Sequence, residues 1–275
     1  MDFIKAFAYE WMQYEFMRTA LLAVLIMTPL FGILGTMVVD GRMAFFSDSL
    51  GHSAMTGIAI GVLLGLKTPL LAMVGFGLAY AVLLTLVKAR GAASTDTTIG
   101  VFASTGMALG VILLSKNGGF SKYTSYLIGD LLAVSQPDLI FAGITLLGTL
   151  VFWFLFYNKL LLLSVSESLA KSRGVRTLAI DMGFACLLSV VVMLSIRWAG
   201  VLIISAMLVL PGAAARNVSK NVPRYHLLAV LMAMLCGVLG LLLSYAFGTA
   251  SGAMIILTLA VCYVATLIIR NISHE

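Results

Sequence analysis

The sequence predicts an all-α polytopic membrane protein with about eight to nine transmembrane helices. Hydrophobic residues make up 61% of the 275 residues and charged residues only 10%, and the mean hydropathy is +1.10. A soluble domain of this length needs a far more polar surface. Apolar runs long enough to cross a bilayer recur along almost the whole chain. Because these runs are continuous rather than alternating in polarity, they favour helices over a β-barrel.

Nine apolar spans are predicted, and no change in composition marks a soluble domain between them. A single membrane domain over residues 1–275 is therefore expected, and the N-terminal residues show no cleavage site for a signal peptide. The seventh span ends at Pro211 and Gly212, which makes it a candidate for a short or broken helix. The spans are residues 14–39, 46–66, 69–87, 97–115, 138–157, 178–196, 198–214, 226–247 and 251–269.

The distribution of Lys and Arg between the spans predicts the orientation. One set of alternate loops holds eleven basic residues: Arg42, Lys88, Arg90, Lys159, Lys171, Arg173, Arg176, Arg216, Lys220, Arg224 and Arg270. The other set holds six: Lys5, Arg18, Lys67, Lys116, Lys122 and Arg197. The positive-inside rule places the first set in the cytoplasm, so the N-terminus is expected outside and the C-terminus inside. The net charge of +6 fits cytoplasmic loops better than nucleic-acid binding.

The longest predicted cytoplasmic loop, about residues 158–177, contains the pattern of a short helix. Ser166 is a candidate N-cap, Glu167 falls in the first turn, and Gly174 follows as a stop signal. Lys171 and Arg173 near the end suit the negative end of the helix dipole. A self-capped helix between two spans suits docking to another protein, although an ordinary surface turn has the same pattern.

Small residues recur every fourth position in the second span, at Ser53, Gly57, Gly61 and Gly65. This spacing places them on one helix face and lets a neighbouring helix approach closely in lipid. It predicts packing and carries no information about chemistry.

The same span contains a carboxylate and an imidazole, in the run MAFFSDSLGHSAMTGIAIGVLLG at residues 43–65. Asp48 and His52 are four positions apart, so they share one helix face. Counting from Arg42, His52 lies roughly 15 Å deep, near the centre of the bilayer. An ionised carboxylate there costs about 3 kcal/mol and needs compensation. A structural hydrogen bond, a proton relay or a transition metal bound by one oxygen and one nitrogen would each provide it.

Other features of the sequence argue mainly against an enzymatic function. The chain has no G-x-x-x-x-G-K-[ST] phosphate loop and no nucleophile–base constellation in its loops, so it is not expected to be an enzyme. Cys186, Cys236 and Cys262 each lie in an apolar span without C-x-x-C spacing and are expected to be buried structural residues. Asp130, in YLIGDLLAVSQPDL, is a helix-cap candidate as well as a functional one.

Three segments, in order, carry a family resemblance. GRMAFFSDSLGHSAMTGIAIG at residues 41–61 holds Asp48, His52 and Gly57, with Ser47 where Gly is usual. GDLLAV follows at residues 129–134, and GVLIISAMLVLPGAAAR at residues 200–216. Together they resemble the membrane permeases of the ATP-binding-cassette importers for zinc, manganese and iron. The match covers at least residues 34–255.

The resemblance implies an importer-type permease fold and a set of roles. Asp48 and His52 would contact the transported metal, and no cofactor would be bound permanently. Asp130, Ser205 and Pro211 match motif positions and become candidates for the ion pathway or its gating. The cytoplasmic helix would contact an ATPase, with Leu169, Ala170 and Gly174 at positions that match the family and Ser166 and Glu167 at its start. It begins with Ser-Glu where the family usually has Asp-Pro or Ser-Pro.

The resemblance also implies the partners: a permease homodimer, two cytosolic ATP-binding subunits and an extracellular or periplasmic metal-binding protein, in a bacterial plasma or inner membrane. The GDLLAV run is closer to the zinc-type permeases, with manganese next.

Two other functions are consistent with parts of the sequence. A proton-coupled secondary transporter or channel would need no ATPase, and a permease for an organic metal chelate would need no ion ligands.

Overall fold

The computed structural model describes residues 11–66, 68–91, 94–116, 129 and 131–272. In this part of the chain every regular element is helical, which confirms the predicted all-α fold. The nine α-helices are α1 (Glu15–Asp40), α2 (Ala44–Leu63), α3 (Leu70–Ala89), α4 (Thr95–Lys116), α5 (Gln136–Val165), α6 (Glu167–Ser172), α7 (Thr177–Val218), α8 (Val222–Phe247) and α9 (Ser251–Ile272). Two short 3-10 helices cover Trp11–Gln13 and Leu131–Ala133.

Seven helices in the described residues are long and apolar enough to cross a membrane: α1, α3, α4, α5, α7, α8 and α9. The chain is therefore a multi-pass membrane protein. Helix α2 has 20 residues but is not among the seven, because its serines, Asp48 and His52 lower its hydropathy. A helix that carries such groups in a membrane is expected to face protein or water rather than lipid.

Helix α7 contains two of the predicted spans. It has 42 residues, about twice the length needed to cross the hydrocarbon core. Gly200 interrupts it with φ 76° and ψ 159°, a backbone conformation that glycine tolerates best. Residues 177–199 and 201–218 therefore form two span-length segments. The second does not end at Pro211 as the sequence suggested. Pro211 lies inside the helix, which membrane helices tolerate because neighbouring helices and local adjustments satisfy the freed carbonyl.

Local capping explains where several helices begin and end. The Asn221 side chain accepts a hydrogen bond from the Arg224 amide at 3.0 Å, and α8 ends at Gly248 with φ 63°. At the start of α5, the Asp138 carboxylate accepts from the Ser135 amide at 3.0 Å, one half of a capping box. Helix α5 continues to Val165, beyond the predicted end at residue 157, because its leucine-rich last turns favour helix.

The chain forms two compact units, to both of which α1, α5 and α7 contribute residues. The first unit contains the described residues within Met1–Thr36, Ile128–Gly148 and Trp198–Glu275. There α8 and α9 pack closely, because a Cβ on Gly240 would lie 2.5 Å from the Ile255 Cα. The Thr36 hydroxyl lies 2.7 Å from Nδ1 of His226, so this histidine is buried among helices.

The second unit contains the described residues within Met37–Leu127 and Thr149–Arg197. Helix α2 is its centre and packs against α3 on one side and α4 on another. A Cβ on Gly57 would lie 2.8 Å from the Met73 Cα of α3, and one on Gly110 would lie 2.6 Å from the Met55 carbonyl carbon. The Thr56 hydroxyl also donates to the Gly106 carbonyl of α4. These contacts fix the helix that carries Asp48 and His52.

Candidate functional site

Helix α2 is buried along most of its length and open along one stripe. Between Ala44 and Ala59, the residues that are not buried are Ala44, Phe45, Asp48 and His52. Positions 45, 48 and 52 share one helix face. The two polar side chains are thus on the accessible face of a helix whose other faces contact protein.

Asp48 and His52 lie in contact, as their spacing predicts. Oδ2 of Asp48 is 3.5 Å from Nε2 of His52, and the side chains are 49% and 38% exposed. This separation is at the long limit for a hydrogen bond. The pair offers one carboxylate oxygen and one imidazole nitrogen, which suits a borderline divalent metal, and it also suits proton exchange with water.

The polar residues around the pair are held by the helices of the second unit. The Tyr80 hydroxyl of α3 donates to Ser49 Oγ at 3.1 Å, and the Ser49 hydroxyl donates to the Phe46 carbonyl at 3.1 Å. Ser53 donates within α2 in the same way, to the Leu50 carbonyl at 2.9 Å. The neighbouring serines therefore satisfy their hydrogen bonds inside protein, whereas Asp48 and His52 reach the accessible face.

The described residues provide no complete metal cage. Among them, no group of three or more His, Cys, Asp or Glu side chains is arranged to hold a metal ion. A closed tetrahedral site needs four ligands, so Asp48 and His52 could supply two at most.

The other predicted pathway residues lie elsewhere. Ser205 is half-buried and Pro211 is buried, both in the second segment of α7, which belongs to the first unit. Asp130 lies outside the described residues. The structure therefore brings together Asp48 and His52 from this group, and the roles of Ser205 and Pro211 stay predictions.

The short helix predicted in the loop at residues 158–177 forms. The Leu169 amide donates to Ser166 Oγ at 3.3 Å, which makes Ser166 the N-cap of α6, and Gly174 follows the helix with φ 74°. Ala170 is fully buried, while Leu169 is 43% exposed. The helix thus has one side chain anchored in the second unit and an apolar one left accessible. Its docking role stays a prediction.

Glu167 opens α6 and interacts with charged residues around it. Its carboxylate lies 2.7 Å from Lys171 Nζ. The hydrogen bond and charge of Lys171, with smaller contributions from the charge of Lys88 and a hydrogen bond from Thr177, lower the pKa of Glu167. Lys88 belongs to α3 and Thr177 to α7, so residues of two other helices contribute to the pKa of Glu167.

An ion pair that was not predicted from the sequence lies beside α6. Nζ of Lys88, in the last turn of α3, lies 3.2 Å from Oδ2 of Asp181 in α7. The pair borders a cavity of about 740 Å³ that Asp40, Arg42, Glu167 and Lys171 also line. The sequence contained one signal for this pair. Lys88 lies at the end of one predicted span and Asp181 near the start of another, and both lie on the predicted cytoplasmic side.

Comparison with known proteins identifies the family of this chain. The model of the family described as "ABC 3 transport family" matches residues 13–270. The chain belongs to the ABC 3 transport family. Its role is that of the membrane permease subunit of an ABC transporter, as the three sequence motifs predicted.

Relatives within the ABC 3 family carry names for different metals. The chain is 32% identical to "High-affinity zinc uptake system membrane protein ZnuB" of Haemophilus influenzae, over 94% of this chain and 99% of that protein. It is 28% identical to "Manganese import system permease protein ScaB" of Streptococcus gordonii, over 93% of this chain and 92% of that protein.

Solved structures agree with the fold. The structure of "PsaBC from Streptococcus pneumoniae in complex with Fab" is similar with a TM-score of 0.83 and 27% identity, covering 96% of this chain and 95% of that chain. An inward-facing ABC transporter matches with a TM-score of 0.69 at 15% identity, over 91% of this chain and 85% of that chain, which supports the fold alone. The residues matched by the ABC 3 family model, 13–270, include Asp48, His52 and the whole of α6.

Proposed function

We propose that this ABC 3 permease passes a divalent transition metal into the cell, zinc first and manganese next, with energy from a separate ATPase. Relatives named for zinc uptake and for manganese import support the class of cargo. We rank zinc first because the GDLLAV run at residues 129–134 is closer to the zinc-type permeases.

The observation that carries the proposal is the position of the Asp48–His52 pair. Both side chains lie on an accessible stripe of α2, whose remaining residues from Phe46 to Ala59 are buried, and they contact each other at 3.5 Å. A lipid-facing pair would be costly, and a purely structural pair would be packed inside the unit. An accessible carboxylate and imidazole instead suit a water-filled route along which an ion exchanges ligands.

A site with two protein ligands from one chain suits an ion that passes through the permease better than one that stays bound. An ion that must leave again needs a weak site, because a closed cage would hold it. We propose that the permease is a homodimer, so a second copy of the pair contributes to the same pathway. The metal is the cargo in this scheme, and Asp48 and His52 replace part of its hydration shell.

ATP coupling is assigned to α6. A cap at Ser166, a buried anchor at Ala170 and an exposed Leu169 form a short rigid segment that a partner protein can move. We propose that two cytosolic ATP-binding subunits contact it and that nucleotide binding switches the permease between outward-open and inward-open states. A metal-binding protein outside would deliver the ion.

The proposed setting follows from the same assignment. The α6 side of the protein lies in the cytoplasm, with the N-terminus outside and the C-terminus inside, in a bacterial plasma or inner membrane.

A proton-coupled transporter without an ATPase is the alternative function, because a contacting Asp–His pair can also exchange protons. Gentle purification of the tagged chain from its native membrane, followed by identification of co-purifying proteins, separates the two. The proposal predicts an ATP-binding subunit in the complex, and ATP-dependent uptake of zinc chloride or manganese chloride into liposomes that contain it. Uptake that needs a proton gradient and no ATP would support the alternative.

A further inference from the structure

Helix α3 contacts the start of α7, which directly follows α6, and the helix with the candidate metal ligands, through different residues. Its last turn carries Lys88, and its middle carries Tyr80. All the contacts concerned lie in the second unit.

At one end of α3, Lys88 contacts α7 and lies beside the start of α6. Its Nζ lies 3.2 Å from Asp181 of α7, and it lines the same cavity as Glu167, the first residue of α6. The side chains of Lys88 and Asp181 are 30% and 25% exposed, so the pair is less screened by water than a surface pair. Because only four residues separate the end of α6 at Ser172 from the start of α7 at Thr177, a displacement of α6 is passed to the start of α7 and to the pair of Asp181 with Lys88.

In the middle of α3, Tyr80 contacts the helix that carries Asp48 and His52. Its hydroxyl donates to Ser49 Oγ, the residue beside Asp48, at 3.1 Å, and this bond is buried. The Tyr80 ring is fixed against Phe102 of α4, with 5.8 Å between the ring centroids. Movement of α3 at this level therefore changes the contacts of α2 next to Asp48.

Between these two points α3 is an uninterrupted helix. Lys88 and Tyr80 are separated by about 12 Å along its axis, at about 1.5 Å per residue. Its first half packs backbone to backbone on α2, since a Cβ on Gly57 would lie 2.8 Å from the Met73 Cα and one on Gly61 would lie 2.9 Å from the Pro69 Cα. Closely packed helices move together or switch between discrete arrangements rather than deform continuously.

We propose that α3 transmits displacement of α6 to α2, with Lys88 and Tyr80 as the positioning residues at the two contacts. This inference rests on the proposed function, because it assigns a route by which ATPase-driven movement of α6 reaches Asp48 and His52. The cavity of about 740 Å³ beside Lys88 and Glu167 leaves space for α6 to move. Neither residue touches the ion.

The test compares Lys88→Gln with the matched control Arg90→Gln. Arg90 lies at the same end of α3 and is exposed, so its loss removes the same charge without the contact to Asp181. The readout is the number of zinc ions taken up per ATP hydrolysed, in liposomes with the complex of the permease and its co-purified ATPase. We expect Lys88→Gln to lower this ratio between about twofold and thirtyfold, and Arg90→Gln and Lys88→Arg to keep it. An unchanged ratio in Lys88→Gln overturns the inference.

A double variant distinguishes transmission from simple loss of stability. Tyr80→Phe keeps the ring contacts and removes the hydrogen bond to Ser49. If α3 transmits the movement, each single change already interrupts one route, so the ratio in Lys88→Gln/Tyr80→Phe should equal that of the worse single variant. Independent structural damage at separated sites would instead add. A ratio equal to the product of the two single losses overturns the inference.

A charge exchange keeps the test valid if Lys88→Gln fails to assemble. Lys88→Glu with Asp181→Lys restores an ion pair between α3 and α7 but places a negative charge toward Glu167. We expect assembly near that of wild type with a lowered ratio, and full recovery of the ratio overturns the role of Glu167. If the wild-type complex shows no ATP-dependent uptake of zinc or manganese, the proposed function itself fails, which is a separate outcome.

Discussion

Oδ2 of Asp48 lies 3.5 Å from Nε2 of His52, and both side chains are accessible although the remaining residues from Phe46 to Ala59 of α2 are buried. The pair therefore presents one carboxylate and one imidazole on the accessible face of α2, which are donor types that suit a borderline divalent ion.

Substitution of either residue should reduce metal uptake. Asp48→Asn keeps the shape and removes the charge, and His52→Gln removes the imidazole nitrogen while keeping a polar side chain. Because each variant loses one of two ligands, we expect zinc uptake by metal-limited cells to fall at least about tenfold, with the amount of protein in the membrane unchanged.

Asp96→Asn is the control for this experiment. Asp96 lies exposed in the first turn of α4, so the variant loses a carboxylate away from α2 and should transport normally. Wild-type uptake in both Asp48→Asn and His52→Gln would remove the pair from the ion pathway.

Much of the fold follows from hydropathy, because apolar runs must form helices in a bilayer. The α6 helix was also predictable, since Ser166 and Gly174 act through local backbone hydrogen bonds and conformation. The small-residue pattern of α2 was correct for Gly57 and Gly61, which face α3. Gly65 differs: it has φ 67° and follows the end of α2 instead of packing.

What the sequence could not supply was pairing between distant segments. Lys88 and Asp181 are 93 positions apart, and Tyr80 and Ser49 are 31 apart. Nothing in local propensity or periodicity specifies which helices are neighbours. The break in α7 at Gly200 lies close to the predicted boundary between spans 178–196 and 198–214, but the residue itself was not predicted, because glycine also occurs in unbroken membrane helices.

Removal of the cap should loosen α6 specifically. In Ser166→Ala the Leu169 amide loses its acceptor, which costs about 1 kcal/mol. We expect hydrogen exchange of the amides in α6 to become about fivefold faster, measured by mass spectrometry on the purified permease. Ser166→Asp supplies another capping oxygen and should keep exchange near wild type.

Ser172→Ala controls for a general effect of serine loss in α6. The Ser172 hydroxyl donates to the Leu169 carbonyl at 2.9 Å, which already accepts within the helix, so its loss should leave exchange nearly unchanged. Equal acceleration in Ser172→Ala and Ser166→Ala would contradict the capping role.

Glu167 should make the stability of α6 depend on pH. Lys171, with Lys88 and Thr177, lowers the pKa of Glu167 in the folded protein, so its contribution is present above the unfolded pKa. The contribution disappears as the pH falls through the folded pKa. At neutral pH, hydrogen exchange of the α6 amides in Glu167→Gln should be no more than about twofold faster than in wild type. The effect is small because the Glu167 side chain is 63% exposed, and water weakens an exposed ion pair. In acid the two proteins should exchange equally, and a difference that grows as the pH falls would refute this.

Gly129 should be the least replaceable glycine in the first unit. It has φ 74°, and a Cβ there would overlap the carbonyl group of Ala199, just before the break at Gly200. Alanine at this position costs about 1–2 kcal/mol for the left-handed backbone, and the overlap adds to this because a backbone carbonyl cannot rotate away. We expect Gly129→Ala to lower the melting temperature of the detergent-purified permease by several degrees.

Gly143→Ala in α5 is the control, because a Cβ there has nothing within 4 Å. It should be neutral or stabilising by up to about 1 kcal/mol. Equal melting temperatures for the two variants would show that Gly129 does not require its glycine for this contact.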